Sequence, residues 1–113
     1  MQRDDAALVD ILNACRLASQ FIEGMTKRVF IKDLKTQSSI LHQITIIGEA
    51  ARRLSTDLRK KNSHIPWQAI IGMRSKLIHE YNSVDLDEVW ATVKTDIPLL
   101  IMQLEPLIKK SKD

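Results

Sequence analysis

The chain has 113 residues, 44% apolar and 27% charged, with three glycines, three prolines and a formal charge of +3. That length bounds one domain, residues 1–113, with a core of its own, and so few turn-forming residues exclude a β-sandwich. No apolar run approaches the ~20 residues of a membrane span, Asp4 and Asp5 exclude a secretory leader, and the single Cys15 leaves no intrachain disulfide. A cytoplasmic location without membrane association is therefore expected, and the basic balance is compatible with a phosphate-bearing partner.

From Asp4 to about Met25, apolar residues fall at Leu8, Ile11, Leu12, Cys15, Ala18, Phe21, Ile22 and Met25, which is helical spacing. Cys15 lies on the apolar stripe and reads as a core side chain rather than a reactive thiol. Gly24 ends or loosens this helix. A connector follows in which Lys27, Arg28, Lys32 and Lys35 cluster and Phe30 pins the chain to the core. The second helix is predicted to be the longest, from Asp33 or Leu34 to Lys61. Its seam is Ile40, Ile44, Ile47, Ala51, Leu54 and Leu58. Gly48 is costly inside a helix and, beside Ala50 and Ala51, marks a close approach by another helix. Glu49 flanks that spot as a candidate partner for Arg74, against the plainer reading of a solvated glutamate.

After a loop, Pro66 suits the first turn of a third helix carrying Trp67, Ile70, Ile71, Arg74, Leu77, Ile78 and Tyr81. Asn82 and Ser83 break it. Asp85-Leu86-Asp87-Glu88 has the form of a capping box and opens the last helix, whose stripe continues in phase past Pro98 and predicts a kink there. No segment alternates like a strand. The expected fold is an all-α bundle of four main helices.

Arg74, His79 and Tyr81 share one apolar segment, where desolvation makes polar groups costly unless they have partners or a task. On an ideal helix Arg74 and Tyr81 lie roughly 20° apart, whereas His79 points roughly 140° from Arg74. Either the helix is distorted near His79 or two copies complete one site. Chemically, a guanidinium fork for phosphate oxygens plus an imidazole for proton transfer suits RNA cleavage by the 2′-hydroxyl, without a metal or cofactor. A zinc site fits poorly, because Ser83 stands where H-E-x-x-H needs its second histidine.

On spacing alone, Arg74, His79 and Tyr81 form a weak pattern that reads first as polar residues at a core edge. The wider sequence says more. Gly48-Glu49-Ala50, the run Ile65 to Arg74, Leu77-Ile78-His79-Glu80-Tyr81 and Val84 to Trp90 strongly resemble the HepT-like family of HEPN-domain ribonuclease toxins, over nearly the whole chain. The resemblance implies a four-to-five-helix HEPN-type bundle that forms a homodimer. It also implies a metal-independent endoribonuclease toxin of a type VII toxin–antitoxin system, with Arg74 and His79 as the catalytic pair lining a cleft between copies. Tyr81 matches the tyrosine that an MntA-type minimal nucleotidyltransferase antitoxin modifies with AMP. Ser75 departs from the Asn, Asp or His common after the motif arginine. It can still hydrogen-bond but reaches less far. The alternative function is a helical binding module that accompanies a nucleotidyltransferase without cleaving RNA.

Overall fold

A computed structural model describes residues 2–78 and 83–112. Its helices are α1 (Gln2–Phe21), α2 (Lys27–Phe30), α3 (Leu34–Arg52), α4 (Thr56–Lys61), α5 (Trp67–Ile71), α6 (Met73–Leu77), α7 (Leu86–Ala91) and α8 (Ile97–Lys112). A π-helical turn, Thr92–Asp96, joins the last two. Among the described residues there is no strand, only an isolated antiparallel bridge between Ile78 and Val84. The architecture is the all-α bundle that the sequence predicts.

The apolar stripes explain the packing. Leu8, Ile11, Cys15 and Ala18 of α1 and Ile40, Ile44 and Ile47 of α3 are fully buried, and α1 packs along both α3 and α8. Burial pushes the Cys15 thiol up to about 12, which leaves it an inert core side chain. Gly48 faces α5 at a distance no other residue tolerates easily. A Cβ there would stand 3.2 Å from the Ile71 carbonyl oxygen and 3.7 Å from that of Ile70. The close approach inferred from the sequence is real.

Three helix boundaries differ from the sequence reading, each for a local reason. First, α3 stops at Arg52 rather than running to Lys61. The Ser55 hydroxyl accepts from Leu58 N and caps a separate α4, while Asp4 accepts from Ser55 N at 2.8 Å and from its hydroxyl at 2.6 Å. The carbonyls exposed by the break are satisfied too, since the Arg59 guanidinium donates to Leu54 O and Arg52 O. Second, the helix expected from Trp67 to Tyr81 is two short pieces that meet at Gly72, and the second ends at Leu77. Third, the last helix is not α-helical throughout, because a π turn precedes Pro98. The chain widens into the π turn just before it, with Ile97 N donating to Thr92 O. The wider turn gives room to a ring that would collide with the carbonyl four residues back and has no N–H to offer.

The connector after α1 is held as firmly as a helix. Gly24 adopts φ 74°, a left-handed conformation suited to leaving α1. Thr26 caps α2, and Asp33 caps α3 by accepting from Thr36 N and Thr36 Oγ1. Phe30 is buried against Trp90, ring centroids 5.3 Å apart, and the buried Gln37 amide donates to Phe30 O. Phe30 is thus the pin the sequence suggested.

Candidate functional site

Arg74 stands on α6, a helix of five residues anchored by the buried side chains of Met73 and Leu77. At 100° per residue, those two anchors turn Arg74, Ser75 and Lys76 outward, and all three are exposed. Lys76 leans toward Glu88 of α7 at 3.7 Å, an exposed pair worth little in stability. Arg74 has no such engagement. Among the described residues no carboxylate pairs with it, so its planar set of donors faces solvent. Glu49, the candidate partner on α3, is exposed and forms no ion pair with Arg74.

His79 and Tyr81 lie outside the described residues. The backbone on both sides of them is defined, and it changes the geometric argument. Ile78 leaves the helix with φ −112° and ψ 115° and bridges Val84, while Asp85 N donates to Leu77 O at 2.9 Å. The angles computed for a straight helix through Tyr81 therefore do not apply, because the chain departs from helical geometry one residue before His79. Of the two options left open by the sequence, helix distortion near His79 is present. The Leu77 contact also alters the capping box. Asp85 Oδ1 accepts from Glu88 N at 3.1 Å, as expected, but the Asp85 N–H is already engaged by Leu77 O. The Glu88 side chain instead reaches Lys76. One residue pair thus caps α7 and ties α7 to α6.

The sequence reading missed an apolar cleft of about 150 Å³ on the other flank of α6, lined by Pro66, Ile70, Met73, Lys76, Thr92 and Leu100 among others. Arg74 lies roughly 160° around the helix from Lys76, so it does not face this cleft. The π turn lines part of it through Thr92 and Asp96, and only Pro98 hinted at that turn in the sequence. Among the described residues, no three His, Cys, Asp or Glu side chains gather as metal ligands would. No helix among them is long and apolar enough to cross a membrane. What the described site offers is an exposed, uncompensated guanidinium on a short rigid helix that ends immediately before an imidazole-bearing stretch.

Comparison with known proteins agrees with that chemistry. The family profile described as ribonuclease HepT-like matches residues 11–107. A protein of Thermococcus cleftensis named a probable ribonuclease HepT is 39% identical over 90% of this chain and 93% of its own length. A protein of Caldanaerobacter subterraneus named as a candidate RNase is 36% identical over 93% of this chain and 94% of its own. Another candidate RNase, from Methanocaldococcus jannaschii, is 36% identical over 92% and 90%. No solved structure matches the chain significantly. With a family match across most of its length and relatives aligned end to end, the chain belongs to the ribonuclease HepT-like family.

Proposed function

We propose that the chain is a metal-independent RNA endonuclease and the toxin of a toxin–antitoxin pair, working in the cytoplasm as a homodimer. Arg74 holds the scissile phosphate through its guanidinium fork. His79 takes the proton from the 2′-hydroxyl as that oxygen attacks phosphorus, and an imidazolium returns a proton to the leaving 5′-oxygen. Ser75 supplies at most a short hydrogen bond beside Arg74. A second copy places its own motif across a twofold axis, so that two motifs share one cleft. The observation that carries the reading is the Arg74 guanidinium, exposed on α6 with no ion pair among the described residues, where the helix ends before His79. Family membership supports it, as does the charge of +3.

Silencing rests on Tyr81. A minimal nucleotidyltransferase that transfers AMP to the phenolic oxygen adds a negative charge and a bulky base to the motif. The charge pairs with the guanidinium and repels an RNA backbone.

The test is cleavage of RNA by purified protein in the presence of EDTA. The wild type should leave 2′,3′-cyclic phosphate ends, and His79→Ala should lose on the order of 10²-fold in rate without unfolding. Inactivation by the chelator, or 3′-hydroxyl ends from the outset, rejects the mechanism. Tyr81→Phe should keep cleavage yet resist AMP-dependent silencing.

A further inference from the structure

The short connector from Lys27 to Lys35 carries four cations and one acid, Asp33. Several basic side chains elsewhere are already engaged. Arg16 pairs with Glu105, Arg53 with Asp10, Lys61 with Asp57 and Lys76 with Glu88, and Arg59 donates to carbonyls. In the connector Lys27 pairs with Asp87 at 2.8 Å, but the exposed side chains of Arg28, Lys32 and Lys35 form no ion pair or hydrogen bond among the described residues. Asp33 sits beside Lys35, but its two oxygens already serve Thr36 as the cap of α3. Three aliphatic side chains stand among these cations and are also turned to solvent: Val29 is 51% exposed, Ile31 42% and Leu34 77%.

The patch is rigid, because Phe30 is buried against Trp90 and Gln37 holds the Phe30 carbonyl. It is also linked to the motif helix through α7. The first turn of α7 holds α2 through Lys27–Asp87 and α6 through Lys76–Glu88.

We propose that Arg28, Lys32 and Lys35 form an accessory phosphate-binding site, which holds the RNA strand away from the bond to be cut. The proposal rests on the ribonuclease reading and names where the substrate is gripped beyond the motif. Cations that form no ion pair among the described residues, carried on α2, the turn after it and the first turn of α3, suit a phosphate backbone. Val29 and Leu34 offer an apolar shelf for an unstacked base. The grip is independent of sequence, as phosphate contacts are.

The experiment compares wild type with R28A/K32A/K35A, and with R52A/K60A/K61A as a control of equal charge change. Fluorescence anisotropy with a labelled single-stranded RNA is measured across a salt series, alongside cleavage of that RNA and of a dinucleotide. The connector variant should bind the RNA about 10-fold more weakly at low salt, and its salt slope should shrink by about 2, as three phosphate contacts imply. KM for the RNA should rise with kcat unchanged, dinucleotide cleavage should be unaffected, and thermal unfolding should stay in place. Equal loss in the control variant would mean that net charge rather than this site attracts RNA, and would overturn the proposal. So would unchanged RNA affinity in the connector variant, which would assign the patch to a protein partner. A wild type that grips RNA through the patch but cuts neither substrate leaves the site standing and removes the cleavage reading. A wild type that binds no RNA removes both.

Discussion

The α1–α3 pair and the α5–α7 region are built by opposite rules. In the first, two helices of 20 and 19 residues meet along continuous apolar stripes whose central side chains are fully buried. In the second, helices of five, five and six residues are linked by a glycine, an extended residue and one isolated bridge. Each piece contributes only one or two buried anchors, such as Met73 and Leu77 on α6. Isolated helices that short have no stability of their own, so the region holds its shape only by leaning on the long pair. In return, a short helix can turn most of its side chains outward. Arg74, Ser75 and Lys76 are all exposed on one turn, which no residue at the centre of the α3 seam could be.

Stability and activity should therefore separate between the two regions. Ile44→Ala, in the fully buried seam of α3, should cost about 2–5 kcal/mol in chemical denaturation while the folded fraction keeps its cleavage rate per molecule. Arg74→Ala should do the reverse. It should stay within about 0.5 kcal/mol of wild type because the side chain is exposed, yet lose on the order of 10²-fold in RNA cleavage. A large stability loss at Arg74 would show that the short region is structural after all.

Gly48→Val attacks the contact that joins the two regions. The added side chain would press on the backbone carbonyl of Ile71, which cannot swing away as a flexible side chain would. A loss of about 1–3 kcal/mol is expected, with activity falling in step because α6 follows α5 directly. Unchanged stability and activity would show that α5 can move away without consequence.

The smallest effect concerns Asp4, which ties the start of α1 to the cap of α4. Burial pushes its carboxyl up, but hydrogen bonds from the Ser55 hydroxyl and backbone N–H outweigh it, and the net pKa is lowered. A lowered folded value means that the unfolded chain binds the proton more readily. The stabilisation is therefore fully present above the unfolded value of ~3.9 and is lost as pH falls through the lower folded one. Asp4→Asn should cost about 1 kcal/mol at neutral pH and flatten that part of the acid limb of stability. An unaltered acid limb would mean that the link is not made in solution.

The sequence carried much of this in recoverable form. The stripes of α1, α3 and α8 follow from spacing, because burial on one face of a helix demands a repeat near 3.6 residues. Gly48 was readable as a close approach because nothing else explains a costly glycine beside two alanines in a helix. Phe30 and the Asp85 cap were likewise local signals with a single sensible meaning. The candidate residues Arg74, His79 and Tyr81 stood out because polar groups on an apolar helix need a reason.

What the sequence could not decide depended on residues far apart in the chain. Leu54 and Leu58 continue the α3 stripe in phase, so the apolar spacing does not announce the break that follows Arg52. The break is sealed by Asp4, 51 residues before Ser55, and by Arg59 turning back onto the freed carbonyls. Pro98 announced a distortion but not its form, since a kink and a π turn both accommodate a missing donor. The end of α6 at Leu77 was hidden for the same reason. Ile78 fits the helical repeat, but Val84 and the Asp85 N–H, one residue pair away across the stretch, draw the backbone out of it. Periodicity fixes which face of a segment is buried. Where a helix stops is settled by whichever distant donor or acceptor satisfies its last carbonyls and first N–H groups, and that partner exists only once the chain has folded.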